Sequence, residues 1–169
     1  PGLARAFAVE RWPHLGAEAR QKLADLRREA RAGERRAAHP IYGLDRQEEA
    51  VAAARKNVAA AGLTAEIQIL HGDATRPLPI PVEPPGLLVT NPPYGDRLKA
   101  GGQQGMKTFY FQLGESFRRL EGWRMAILSG NKAFESAFHR RPSGRHELWN
   151  GPIKCELLSY RVGGTRRGE

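Results

Sequence analysis

Residues 86–95 read GLLVTNPPYG. An apolar run from Gly86 to Thr90 ends in an asparagine, and two prolines and a tyrosine follow at once. Proline has no N–H to give a strand ladder and fixes its own φ, so Pro92 and Pro93 stop a strand abruptly. The stretch therefore predicts a buried strand over 86–90 that carries a rigid polar turn at its carboxyl end. In open α/β sheets that end is where ligands bind.

The flanking sequence supplies the rest of such a sheet. Upstream, HPIYGLD (39–45) predicts a short strand over 40–45 that ends at Asp45. Asp45 and Glu48 have the spacing of a capping box, and Val51, Ala54, Val58 and Ala61 form a helical stripe over 46–61 that Gly62 stops. Alternation over 65–70 predicts a second strand, followed by His71-Gly72-Asp73. Five prolines between 74 and 86 make that segment a loop or covering strap.

Downstream, KAGGQQGMK (99–107) is glycine-rich and predicts a loop. Met106, Phe109, Tyr110, Leu113, Phe117 and Leu120 then trace an amphipathic helix stopped by Gly122. A strand over 123–129 and a short helix near 132–138 come next. Two apolar strands around Asn150-Gly151 predict a hairpin. Alternating strands and helices closed by a hairpin predict an α/β, Rossmann-like sheet, mostly parallel with an antiparallel C-terminal hairpin. Before it, residues 16–37 are rich in Ala, Arg and Glu, and Leu15, Ala19, Leu23, Leu26 and Ala30 give a thin stripe on a surface helix. The expected organisation is a helical segment over 1–37, a catalytic domain over 38–163 and a basic tail over 164–169.

Composition narrows the classes. The 169 residues suffice for a buried core, and no apolar run approaches the roughly 18 residues of a membrane span. The N-terminal stretch lacks the sustained apolar centre of a signal peptide. Cys155 is alone, which excludes an internal disulfide, argues against a structural zinc and fits a reducing cytoplasm. Lys and Arg total 27 against 18 acids, a formal charge of +9 that suits a polyanionic partner such as nucleic acid. A solvated basic surface would give the same number.

Three expected strands thus end in polar groups: Asp45, Asp73 and Asn91. In one parallel sheet these would line one crevice. An acid after the second strand of a nucleotide fold accepts from ribose hydroxyls, and a polar group one strand further out can accept from an adenine amine. Each also has a purely structural reading, as cap, turn residue and strand stop.

Asn91-Pro92-Pro93-Tyr94 resembles the catalytic motif of amino-directed S-adenosylmethionine-dependent methyltransferases. With Gly95-Asp96-Arg97-Leu98, GLARAFAVERW (2–12), GLDRQEEAVAAARKNVAAAGL (43–63) and LWNGPIKCELLSY (148–160), nearly the whole chain is similar to the catalytic domain of bacterial 23S rRNA guanine-N2 methyltransferases. The resemblance implies transfer of a methyl group from S-adenosylmethionine to guanine N2, with 23S rRNA as substrate. It implies Asn91, Pro92, Pro93 and Tyr94 as catalytic residues, and Asp45, Asp73 and Ala74 as cofactor-binding residues. It also implies an RNA-binding THUMP domain upstream in the full-length protein. That family has a glycine-rich loop after its first strand. No such segment lies within these residues, and Pro1-Gly2-Leu3 resembles the part just after it. The sheet is accordingly expected to begin after its first strand. Two alternatives share the motif or the charge: adenine-N6 methylation of DNA or RNA, and an inactive RNA-binding fragment.

The motif has a physical reason. An exocyclic amine on a base is a poor nucleophile because its lone pair is delocalised into the ring. The Asn91 side-chain oxygen and the Pro92 carbonyl can accept both of its N–H groups, and the prolines make that carbonyl rigid. Tyr94 can stack on an extruded base. A sulfonium donor needs alignment more than a strong base or a metal.

Overall fold

The computed structural model describes residues 5–81, 83–94 and 102–163, folded as two compact units that divide in the sequence between His71 and Gly72. The expectations placed on residues 1–4, on Gly95 to Leu98, on 99–101 and on the tail 164–169 lie outside the described residues.

In the first unit, helix α1 (Ala17–Ala32) follows a 3-10 turn at Ala8–Arg11. Of its expected stripe, Leu15 and Leu23 are half-buried, whereas Ala19, Leu26 and Ala30 are exposed. The helix is anchored instead through Arg27, whose Nη2 lies 2.5 Å from Glu10 Oε1 and whose guanidinium lies 4.9 Å from the Phe7 ring centroid. Strands β1 (Ile41–Asp45) and β2 (Ile67–His71) pair in parallel, Ile41 opposite Ile67 and Asp45 opposite His71. Helix α2 (Glu48–Ala60) connects them.

The expected capping box does not form, because α2 starts later than the sequence suggests. Its N-cap is Gln47, and Asp45 Oδ1 accepts the Gln47 N–H at 2.9 Å. Asp45 is held in the ladder as the last residue of β1, so the chain spends two residues turning before the helix begins. The other end follows expectation. Gly62 takes φ +70°, its N–H reaches the Ala59 carbonyl, and the Leu63 N–H reaches the Val58 carbonyl. This pair of bonds closes a Schellman cap.

The second unit holds a four-stranded sheet in the order β3-β4-β6-β5, from β3 (Leu87–Thr90), β4 (Arg124–Ser129), β5 (Gly144–Asn150) and β6 (Ile153–Arg161). β3 and β4 are parallel, while β6 pairs antiparallel with both β4 and β5. Parallel strands and an antiparallel hairpin are thus both present, in two sheets rather than the single one expected. Helix α3 (Gly102–Phe117) begins inside the stretch expected to be a loop. Met106 is buried there, and packing on one face outweighs the propensity cost of Gly105.

Met106, Tyr110, Leu113 and Phe117 form the buried stripe of α3 at helical spacing. They meet Met125 and Ile127 of β4, Leu158 and Tyr160 of β6, and Phe134 and Phe138 of the short helix α4 (Phe134–Phe138). Ring contacts bind this core, with Phe134 stacked on Phe138 at 4.9 Å and Tyr160 edge-on to Phe138 at 5.3 Å. The proline-rich segment is the expected strap: Ala74 and Leu78 pack against the core, and the Arg76 carbonyl accepts the Ser116 hydroxyl at 2.6 Å.

Candidate active site

Asn91 stands exposed immediately after β3. Pro92 behind it is buried, and Pro93 and Tyr94 are half-buried. Two bonds hold the turn. The Tyr110 hydroxyl donates to the Pro93 carbonyl at 2.8 Å, and the Asn150 amide nitrogen donates to the Tyr94 hydroxyl at 2.6 Å. Motif residues that are rigid by covalent structure are therefore also pinned from α3 and from the hairpin.

Neither partner was expected at the site. Tyr110 was expected in the α3 stripe as core, and it is wholly buried, yet its hydroxyl reaches the turn. Asn150 was expected in the hairpin loop. Instead it pairs with Ile153 as the last residue of β5, and the two loop residues are Gly151, at φ +60°, and Pro152. The sequence carried a signal for this. A type I′ loop needs φ > 0 at both central residues, which Pro152 cannot adopt, whereas a II′ loop takes glycine first. The Asn150 side chain is thereby released from the turn.

Burial raises the Tyr110 pKa above its ordinary 10.0, against a smaller lowering by a hydrogen bond to the Asn131 side chain. Burial also raises that of Tyr160. Both hydroxyls therefore stay protonated through neutral pH, which keeps Tyr110 a donor. A folded-state value above the unfolded one gives stability that is complete below about pH 10 and is lost as pH rises through the folded value. The melting temperature is expected to fall as pH rises above about 10, and less steeply in Tyr110→Phe. Parallel profiles for the two proteins would show that Tyr110 does not titrate with unfolding.

The other site candidates lie at strand ends. Asp45, in the first unit, is exposed at the end of β1. Asp73, in the second unit, is exposed two residues beyond the end of β2, and its Oδ1 accepts the Thr75 N–H and hydroxyl, each at 2.8 Å. Ala74 is half-buried against the core. No group of three or more metal-binding side chains occurs among the described residues, and no described helix is long and apolar enough to cross a membrane. A depression of about 540 Å³ in the first unit is lined by α1 and the turn before it, with Arg20, Arg27, Arg28 and Arg31 on its wall and no strand-end residue.

The UPF0020 family, described as an RMKL-like methyltransferase domain, matches residues 1–159. The chain belongs to this family. Among RMKL-like relatives, the ribosomal RNA large subunit methyltransferase K/L of Chromohalobacter salexigens is 36% identical over 158 residues, covering 90% of this chain. The chain spans only 21% of that relative's length. The crystal structure of SMU.472 complexed with SAH superposes with a TM-score of 0.80 at 28% identity, over 98% of this chain and 42% of that one. That of a possible methylase from Clostridium difficile 630 gives 0.79 at 32% identity, over 99% and 43%. The RMKL-like domain here is thus a Rossmann-like methyltransferase fold.

Proposed function

We propose that this chain is the catalytic domain of an RNA methyltransferase that moves a methyl group from S-adenosylmethionine to the exocyclic N2 amine of guanine in 23S rRNA. The catalytic domain runs over 38–163, with 1–37 as an added helical segment and 164–169 as a basic tail. In the full-length protein a THUMP domain upstream would help select the RNA, and the work would be done in the cytoplasm. The observation that carries this reading is the turn after β3, where an exposed amide stands on two prolines and the next carbonyl is tied to a buried tyrosine.

The chain's own groups fit the roles. The Asn91 side-chain oxygen and the Pro92 carbonyl accept the two N–H groups of the amine, which holds the nitrogen and favours its sp³ form. Tyr94 stacks on the extruded base. Asp45 uses one carboxylate oxygen for the Gln47 N–H, and as an exposed side chain it can offer the other to a ribose diol. Asp73 and Ala74 would flank the adenine. S-adenosylmethionine, when bound, supplies an electrophilic methyl group.

Incubation with labelled S-adenosylmethionine and unmodified 23S rRNA, followed by nucleoside analysis, tests the reading. Label is expected in N2-methylguanosine, and RNA affinity should fall steeply with salt, as the +9 charge demands. Label in N6-methyladenosine would replace guanine by adenine as the target. RNA binding with no transfer at all would make the chain a binding module only.

A further inference from the structure

We propose that Asn150 is a positioning residue, and that the tip of the β5–β6 hairpin seats the Tyr94 ring before a base arrives. This rests on the reading of Asn91 to Tyr94 as the amine-binding turn.

The chain crosses the carboxyl end of β4 as it leaves β3. On the α3 side, the Pro93 carbonyl meets Tyr110. Tyr94, one residue later, meets the other face of the sheet. Residues 153, 155, 157 and 159 of β6 share that face by strand alternation, and 154, 156, 158 and 160 share the core face. Leu158 and Tyr160 are buried in the aromatic core, yet Cys155 is also buried, at 1% exposure, without belonging to that core. Its Sγ lies 3.8 Å from the Tyr94 hydroxyl oxygen. A Cβ placed on Gly130, just past β4, would stand 2.9 Å from the Tyr94 ring and 3.1 Å from Ile153 Cγ2. The ring therefore occupies a seat built from Gly130, Ile153 and Cys155. The Asn150 amide closes that seat at 2.6 Å.

The hairpin does not need Asn150 for its turn, because Gly151-Pro152 makes the loop. The side chain serves Tyr94 instead. A ring fixed in advance loses less freedom when a base stacks on it, which is the ordinary benefit of preorganisation. The same bond places the hairpin tip, with Trp149 69% exposed beside Asn150, next to the stacking residue.

Cys155 is the single thiol of the chain, so its reaction with Ellman's reagent reports the opening of this seat. In Asn150→Ala, labelling is expected to accelerate about two- to tenfold, the opening that loss of one hydrogen bond allows. Tyr94→Phe deletes the same bond from the other side while keeping the ring's volume, so the result does not hinge on the folding of one variant. It should accelerate labelling at least as much, because it also removes the hydroxyl that the Cys155 thiol contacts, and the double variant should add nothing beyond Tyr94→Phe. In methyl transfer, Asn150→Ala should raise KM for RNA about three- to tenfold while KM for S-adenosylmethionine stays put. Wild-type labelling in Asn150→Ala, or additive effects in the double variant, would overturn the proposal. A wild type that transfers no methyl group but shows the thiol pattern would uphold the seat and remove the methyl-transfer reading instead.

Discussion

Asn91→Ala is expected to lower the rate of methyl transfer by roughly 10²–10³, the loss measured when one preorganised polar group is deleted at a site of developing charge. RNA affinity should hardly change, because binding draws on phosphate contacts spread over a chain of charge +9. The structure makes the variant a clean one. Asn91 is exposed and follows the last paired residue of β3, so its truncation leaves no cavity in the core. Pro92 and Pro93 still fix the turn, and Tyr110 still bonds the Pro93 carbonyl. Single-turnover transfer to unmodified rRNA is the measurement, with filter binding beside it. A variant that keeps half the wild-type rate would remove Asn91 from the chemistry.

Asp45→Asn should weaken binding of S-adenosylmethionine by about 1.5–3 kcal/mol, roughly ten- to 150-fold, because a ribose diol would lose a charged acceptor. Asparagine can still accept the Gln47 N–H that Asp45 Oδ1 accepts now, so the start of α2 is kept. Asp45→Ala loses both functions and should also lower the melting temperature. Calorimetry separates the two variants. If Asp45→Asn binds the cofactor as tightly as wild type, the acid at the end of β1 serves only its turn.

The sequence revealed most where one local rule acts alone. The prolines after Thr90 and the glycine after Ala61 each have a local cause, and each element stopped where that cause put it. It misled where tertiary contact overrode a local rule. Gly101-Gly102 and Gly105 spell a loop, but burial of Met106 extends α3 back to Gly102. Asp45 and Glu48 spell a capping box, but the ladder to His71 holds Asp45 in the strand. At the candidate site, the rigid turn from Asn91 to Tyr94 was legible because proline geometry is written in the chain. The bonds from Tyr110 and Asn150 were not, because they depend on approaches across 17 and 56 residues that no periodicity encodes.

The strand order β3-β4-β6-β5 also sets how the second unit can come apart. Among the described residues, β4 and β6 are each bonded on two sides and form the middle of the sheet, whereas β3 and β5 are each bonded on one. The amide-and-proline turn leaves from β3, and the residue that holds Tyr94 ends β5. Both halves of the site thus ride on the two strands that can peel away while the centre stays closed. Opening at the margins requires far less free energy than global unfolding. Local fraying can therefore open the candidate site while the aromatic core remains intact, so the proposed methyl transfer should be the first property lost under mild stress and the first regained when the stress is removed.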